Sequence, residues 1–424
     1  MYYPKVLVVA NNSFSRTDNN GRTLSNLFIG WPREKLAQFC ISTDGPNYEV
    51  CNNYYCVTDS EVLNSRIHFR KARRNTLEPF DRKEPIGADG KGKKTAFRML
   101  VRDLLWNRDV WDTKDFSQWV TEHNPELILV LFSDASFILD IAASLSQKLD
   151  VPLIMYNTEG FYFFKKNYFR TKTIFDWLWF PIYQRRYRRS VEAMMKHVCY
   201  SIYLNDLLKD DYNNKFNDNS IVLYTTSTLE ATDRSFEDEL IFSYLGNLTH
   251  DRPKALIEIA DVLQSINPSW RLNVYGKTLN KNDESLLKEH AGISYRGFVQ
   301  YDEVLNMVRE SQILFHAESQ EKKLQESLKY GFSTKIADSI SSGACFVLYA
   351  SKDLACSKYI QETGAGWFAS DKQTLRACIE EIVFDPTRRN EVLKKAKEIA
   401  ALNHSAQANS DKFGALICEV LERE

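Results

Sequence analysis

The chain has 424 residues, 44% hydrophobic and 26% charged, a composition that buries substantial cores in two or three domains and excludes a disordered or fibrous chain. Lys and Arg total 55 against 56 Asp and Glu, so the net charge of −1 excludes whole-protein attraction to nucleic acid and leaves any basic partner site local. Eight scattered cysteines, with Cys51 and Cys56 the only close pair and no second pair at zinc-ligand spacing, point to reduced core thiols in a cytoplasmic protein and to no metal centre.

The chain opens as MYYPKVLVVANN, straight into an apolar run with no charged leader and cleavage site, which argues against secretion. No apolar run is long enough to cross a bilayer, so a membrane can only be touched from one side. Residues 5–10, 38–42, 126–132 and 151–156 read as buried strands. Between the last two, 136–149 has helical period with Ile138, Ile141, Ala142, Leu145 and Leu149 on one face, which predicts a βαβ unit. Asn19-Asn20-Gly21-Arg22 reads as a turn after the first strand, either an exposed loop or a flap over bound phosphate.

Residues 63–102 carry twelve Lys or Arg and four acids around GADGKGKK and read as a basic loop or insertion. Residues 161–189 interleave twelve aromatics with eight Lys or Arg and a single acid, Asp176, which with Pro181 interrupts the run. Three readings fit: core helices with snorkelling cations, an interfacial segment on anionic lipid, or a stacking surface for single-stranded nucleic acid.

The polar run 213–220 (NNKFNDNS) marks a domain junction, which places one domain at 1–218 and a second from 219. The second half begins with strands at 221–224 and 241–245, a helix at 253–266 and a strand at 271–275. A helix at 284–290, a short strand near Ile293, a helix at 302–310 and a strand at 312–316 follow. Beyond the stretch 329–350 come helices at 353–362, 374–384 and 388–402, a short strand at 367–369 and a last amphipathic helix at about 406–423. Successive parallel strands need crossover helices, so this order predicts an α/β protein of two doubly wound, Rossmann-like halves.

Ligands of open α/β sheets bind beyond the carboxyl ends of the strands. Those ends carry Asn11-Asn12-Ser13, Ser133-Asp134 and Asn157-Thr158-Glu159-Gly160 in the first half. In the second half they carry Gly246-Asn247, Gly276-Lys277 and His316 with Glu318. Two polar rims imply a cleft between the halves. GxGxxG, the Walker motif, HExxH and GxSxG are all missing, which disfavours nicotinamide, flavin, P-loop, zinc-protease and simple hydrolase chemistry.

The stretch KYGFSTKIADSISSGACFVLYA (329–350) is where the chemistry concentrates. Ser333 or Thr334 can cap a short helix whose apolar side is Ile336, Ala337 and Ile340, and Gly343 suits a left-handed stop before a buried strand. The open end of that helix favours an anion, Lys335 adds a full charge, and Asp338 can accept two neighbouring hydroxyls. Either this is a site for a sugar nucleotide, diphosphate on the helix terminus and ribose on the carboxylate, or it is an ordinary capped helix with a solvated Lys and Asp. Arg252 poses the same choice. It stands just before Pro253 at a helix start, where a cation opposes the dipole unless an anion is bound.

Taken together, SYLGNL (243–248) with Arg252, VYGK (274–277), FHAES (315–319), FSTKIADSISSG (332–343) and ETGAGW resemble the donor half of retaining GT-B glycosyltransferases of the family 4 type. NNGRTL (19–24), GWP (30–32) and NTEGFYFFKKNYFR (157–170) are similar to the first half of that group, and the likeness extends to bacterial capsular and exopolysaccharide enzymes. The resemblance implies a GT-B architecture, with 219–402 binding a UDP- or GDP-sugar and 1–218, joined by the returning helix 403–424, taking a lipid-linked or growing oligosaccharide. Arg252 and Lys335 would hold the donor diphosphate, with Gly246, Asn247, Gly276, Lys277, Ser333, Thr334 and Gly21 around the nucleotide. Asp338 would bind ribose, Glu318 would face the transferred sugar, and Asp134 and Glu159 would lie on the acceptor side. The chain departs from the family in that Glu318 and Asp338 are twenty positions apart, with QEKKLQESLKYG between them.

The resemblance therefore implies a metal-independent retaining transferase with no cofactor beyond its donor, acting in surface polysaccharide biosynthesis at the inner face of the cell membrane. An anionic lipid surface would meet it through 161–189 and 66–102, and no nucleic acid is expected. Two rivals remain: a nucleotide-sugar epimerase or hydrolase on the same fold, and a non-catalytic, membrane-docked assembly partner.

Overall fold

The computed structural model describes residues 2–15, 19–41, 45–68, 94–169, 171–237, 239–278 and 280–423, with backbone alone at 19–20, 66–68 and 301–302. The chain divides into two compact units, Met1–Leu223 with Ser410–Glu424, and Tyr224–Asn409.

In the first unit, β1 (Val6–Val9), α1 (Asn19–Leu27), β2 (Leu36–Cys40), β3 (Tyr54–Cys56), α2 (Asp59–His68), α3 (Ala96–Leu105), α4 (Arg108–Trp111) and α5 (Lys114–His123) lead to β4 (Leu127–Leu131). Then come α6 (Ser136–Leu149), β5 (Leu153–Asn157), α7 (Asp176–Met194), β6 (Val198–Tyr203), α8 (Asp206–Phe216) and β7 (Ser220–Val222). Every pairing is parallel, in the order β3-β2-β1-β4-β5-β6-β7. The strands β1, β4 and β5 are buried on both faces, which is why they read as unbroken apolar runs rather than alternating ones.

Several expectations change here. Asn19-Asn20-Gly21-Arg22 is the first turn of α1, not an open turn. Gly21 is there for contact, because a Cβ would come within 2.5 Å of the Ser13 carbonyl oxygen. Part of the expected basic loop folds as α2 and α3, while 69–93 lies outside the described residues. The polar run at 213–220 is the end of α8, capped by Asn217 in the left-handed region (φ 53°), and the strand expected to open the second half is β7, the last strand of the first sheet. Cys40 and Cys56, register partners on β2 and β3, form a disulfide with Cα atoms 4.8 Å apart, where sequence spacing suggested only thiols.

The aromatic run divides between two environments. Helix α7 continues through Pro181 and buries Phe180, Tyr183, Tyr187, Val191 and Met194, leaving an opposite face exposed. Asp176 does not break the run. Its carboxylate accepts hydrogen bonds from Thr173 and Asn167 and fixes the entry into the helix.

Between α3, α6 and α7 lies Asp103, 1% exposed, accepting from the Ser136 hydroxyl at 2.6 Å with Arg186 Nε 3.8 Å away. Burial pushes its carboxyl up to about 7, against the opposing pull of Ser136, Arg186 and Arg102. Because the folded chain holds this proton more tightly than the unfolded one, stability falls as pH rises from the ordinary aspartate value of 3.8 to about 7. Asp103→Asn is therefore expected to unfold like wild type near pH ~4 and to be more stable above pH ~8 by on the order of 2 kcal/mol, measured by urea denaturation.

The second unit runs β8 (Phe242–Leu245), α9 (Arg252–Ile266), β9 (Leu272–Tyr275), α10 (Lys281–Glu289), β10 (Ile293–Gly297), α11 (Tyr301–Glu310), β11 (Ile313–Ala317) and α12 (Gln325–Leu328). It continues with α13 (Thr334–Ser341), β12 (Cys345–Tyr349), α14 (Ala355–Thr363), β13 (Trp367–Ala369), α15 (Lys372–Phe384), α16 (Pro386–Ile399) and α17 (Ala406–Glu422). Its sheet is also parallel, β10-β9-β8-β11-β12-β13, around Phe242, Val274, Phe315, Val347, Ile259 and Ile379. Helix α17 ends in the first unit, where Phe413, Leu416, Ile417 and Val420 join the core of β1 and β4.

Candidate active site

Strand order reverses between β8 and β11 in the second sheet, so the loops that follow these two strands frame the place where an open α/β sheet receives a ligand. The loop after β8 contributes Arg252, the first residue of α9, and Glu318 directly follows β11. They meet as a buried ion pair. Arg252 Nη2 donates to both Glu318 carboxylate oxygens at 2.7 Å, and Nε donates to Oε2 at 3.1 Å. Nε also reaches the Ala317 carbonyl at 3.1 Å, and Nη1 the Asn247 carbonyl at 3.3 Å.

His316 completes the group, with its Nε2 3.0 Å from Glu318 Oε1. Sequence reasoning noted it beside Glu318 but gave it no role. The signal was available, since residues two apart at a strand end share a face. Burial raises the Glu318 carboxyl, but the His316 hydrogen bond and the Arg252 charge outweigh burial and hold it at about 2. Burial lowers His316, Glu318 opposes this, and the charges of Arg252 and Lys335 lower it further. A neutral ring then donates its proton to the carboxylate.

Helix α13 spans Thr334–Ser341, with the Ser333 hydroxyl accepting from the Lys335 backbone N–H at 3.3 Å. Gly343 follows at φ 85°, and Ile336, Ala337 and Ile340 are buried. Asp338 is 9% exposed and accepts from the Ser227 hydroxyl at 2.7 Å, a partner 111 residues away that no local pattern could reveal.

The remaining second-unit candidates lie on the neighbouring loops. A Cβ on Gly276 would sit 1.9 Å from the Gly246 carbonyl oxygen, so the backbones after β8 and β9 approach as only glycine permits. The Asn247 side chain accepts from Thr249 N–H at 2.9 Å and shapes its own loop. His250 and Asp251 both adopt positive φ, 61° and 57°, immediately before α9. Lys277 lines a separate hollow of about 500 Å³ with Lys288, Tyr295, Arg296 and Phe298.

Gly21, Asp134 and Glu159 belong to the first unit. Asp134 follows β4 and pairs with Lys94 at 2.7 Å. Glu159 follows β5, and burial, reinforced by the charge of Asp134 and opposed by Lys94, raises its carboxyl to about 7. Around Asp134, the hydroxyl of Tyr183 donates to its backbone carbonyl and that of Tyr187 to the Ser133 carbonyl at 2.8 Å. Among the described residues no group of three His, Cys, Asp or Glu could hold a metal ion.

Residues 252–414 match the family described as "Glycosyl transferase-like". None of the curated proteins compared with the chain matches it. Solved structures do. HepE of Anabaena in complex with UDP shares 11% identity over 98% of this chain and 100% of that one, with TM-score 0.64. Sucrose-phosphate synthase of Thermosynechococcus elongatus shares 11% over the whole of both chains, at 0.62. The lipopolysaccharide outer core galactosyltransferase WaaB, without ligand, shares 12% over 98% of this chain and 99% of that one, at 0.59. The chain thus has the α/β fold of GT-B glycosyltransferases, built on two parallel Rossmann-like sheets.

Proposed function

We propose that the chain is a retaining glycosyltransferase that moves a sugar from a UDP- or GDP-sugar to a lipid-linked or growing oligosaccharide in bacterial surface polysaccharide synthesis. The observation that carries this reading is the meeting of Arg252, Glu318 and His316 at the point of strand reversal, within the part of the chain that matches the transferase family and that also holds Lys335 in the first turn of α13. HepE binding UDP and WaaB being a galactosyltransferase support it by analogy of fold. Asp134 and Glu159 are assigned to the acceptor side.

On this reading the donor diphosphate lies on the amino end of α13, met by Lys335 and the positive pole of the helix. An acceptor hydroxyl oxygen bonds to the anomeric carbon while the bond from that carbon to the diphosphate oxygen breaks. The electron pair leaves with the diphosphate, whose departing oxygen takes the acceptor proton on the same face. The chain's task is to stabilise the charge that grows on the leaving group, and neither a metal nor a separate base is required.

Glu318, whose place in the motif suggests the sugar-facing acid, is on this reading the partner that orients Arg252. Held at about 2 and gripped by Arg252 and His316, it is ionised, and it fixes the Arg252 guanidinium rather than standing free at the sugar. Asp338, expected at ribose, already accepts from Ser227, so ribose binding shares a carboxylate with that hydroxyl. Calorimetry with UDP and GDP tests the assignment. Wild type is expected to bind one of them, and Asp338→Asn about tenfold more weakly, the loss of one charge-assisted hydrogen bond. Wild type binding neither nucleotide would favour the non-catalytic reading, to which the closed Arg252–Glu318 pair also lends itself. Release of free sugar from donor alone would favour the epimerase or hydrolase.

A further inference from the structure

The exposed face of α7 is apolar for its first half and cationic for its second. Trp177 is 74% exposed, Leu178 40% and Ile182 43%, and Ile174 and Phe175 just before the helix are 83% and 55% exposed. Leu178 and Ile182 continue at helical spacing into Arg185 and Arg189, both exposed, so one stripe runs from hydrocarbon to charge. Helix α3 packs alongside, adding Phe97, 46% exposed, at the apolar end, while Leu104, 59% exposed and seven residues on, follows Asp103 beside Arg186 at the cationic end. The Phe97 and Trp179 rings, 5.0 Å apart, join the two helices.

We propose that this α3–α7 face inserts into an anionic lipid bilayer, with Ile174, Phe175, Trp177, Leu178 and Ile182 at the depth of the acyl boundary and Arg185 and Arg189 on lipid phosphates. Charge selects the occupant. Segments 94–105 and 172–189 hold two acids, Asp103 and Asp176, and both are buried, so the exposed charges there are cationic, Lys172 and Arg98 included. A second copy of the chain would set those cations against their like. A nucleic acid would gain nothing from Ile174, Leu178, Ile182 and Leu104, which have no ring to stack on a base. An anionic membrane satisfies both halves of the stripe at once. Arg186 and Arg188 belong to the fold, since Arg186 donates to the Asp103 carbonyl at 3.4 Å and Arg188 to the Tyr162 and Phe164 carbonyls at 2.9 and 3.0 Å.

The test is co-sedimentation of the full chain with vesicles of phosphatidylcholine, with and without phosphatidylglycerol. Wild type is expected to pellet with the anionic vesicles and to lose binding as salt rises. The triple variant Ile174→Ser, Trp177→Ser, Ile182→Ser should bind at least about tenfold more weakly to them. The pair Arg185→Ser, Arg189→Ser should lose the preference for phosphatidylglycerol. With acyl-chain-brominated lipid, Trp fluorescence should be quenched in wild type and largely spared in Trp177→Phe, a substitution that leaves the buried face untouched.

Wild type remaining in the supernatant, or the triple variant binding as wild type does, overturns the proposal. So does a dimer in sedimentation velocity, or a complex with a single-stranded oligonucleotide, that the triple variant abolishes without any vesicle binding. The inference deepens the reading of a lipid-linked acceptor, but the vesicle assay contains no donor. Its failure is therefore distinguishable from loss of nucleotide binding in calorimetry.

Discussion

Lys335→Ala is expected to lower sugar transfer by about two to three orders of magnitude while leaving thermal stability largely unchanged. The two halves of this prediction come from one placement. Lys335 stands in the first turn of α13, at the positive end of the helix dipole, so its charge there costs the helix rather than supports it. A bound diphosphate would give that charge its task, since it is the one that meets the leaving group. Lys335→Arg, which keeps the charge, should retain more activity than Ala. A structural lysine would behave in the opposite way, with Ala losing stability and activity together. Transfer assays and melting curves on the three proteins separate the cases.

Arg252→Ala is expected to cost about 3–5 kcal/mol of stability before any effect on transfer is considered. Sequence reasoning alone treats the two cations as equivalent and expects the fold to survive either change. The geometry sets them apart. Among the described residues, Arg252 supplies the only full positive charge paired with a carboxylate that is 7% exposed, and without it Glu318 keeps the His316 hydrogen bond alone. The pH dependence follows with its sign. In wild type the folded value of about 2 lies below the ordinary glutamate value of 4.5, so the pair's contribution is complete above about pH 4.5 and is lost as pH falls toward 2. In Arg252→Ala the carboxyl keeps only His316 against burial, so the loss of stability as pH falls through that range should be smaller than in wild type. The double variant Arg252→Met, Glu318→Leu removes both charges and should recover most of the lost stability in urea denaturation without recovering transfer.

Periodicity made much of the fold legible. The expected helix at 136–149 is α6 to the residue, and the buried strands β1, β4, β5 and β12 announce themselves because parallel strands covered on both faces are unbroken apolar runs. What went unread had no such pattern. The strand β3 is three residues long, and α1 begins with Asn-Asn-Gly, residues whose local preference is for turns and whose helical state rests on Gly21 lying against the Ser13 backbone.

At the site, the residues were legible and their partners were not. Glu318, Arg252 and Asp338 stand out by type and by position at strand and helix ends. That Arg252 closes on Glu318 across 66 residues, and Ser227 on Asp338 across 111, is set by the sheet order, which a single sequence does not print. The aromatic-basic run shows the same limit. Composition could not separate core from interface because α7 is both, one face on each side of a single helix.

The claim on which the account rests is that a nucleotide diphosphate seats on the amino end of α13, beside Lys335 and the Arg252–Glu318 pair. A crystal structure of the chain with UDP or GDP measures this directly. The account predicts phosphate oxygens within hydrogen-bond distance of Lys335 Nζ and of the backbone N–H groups of the first turn of α13, with a ribose hydroxyl on Asp338. A diphosphate held instead by Lys277, Lys288 and Arg296 in the neighbouring hollow, with the end of α13 untouched, would contradict it.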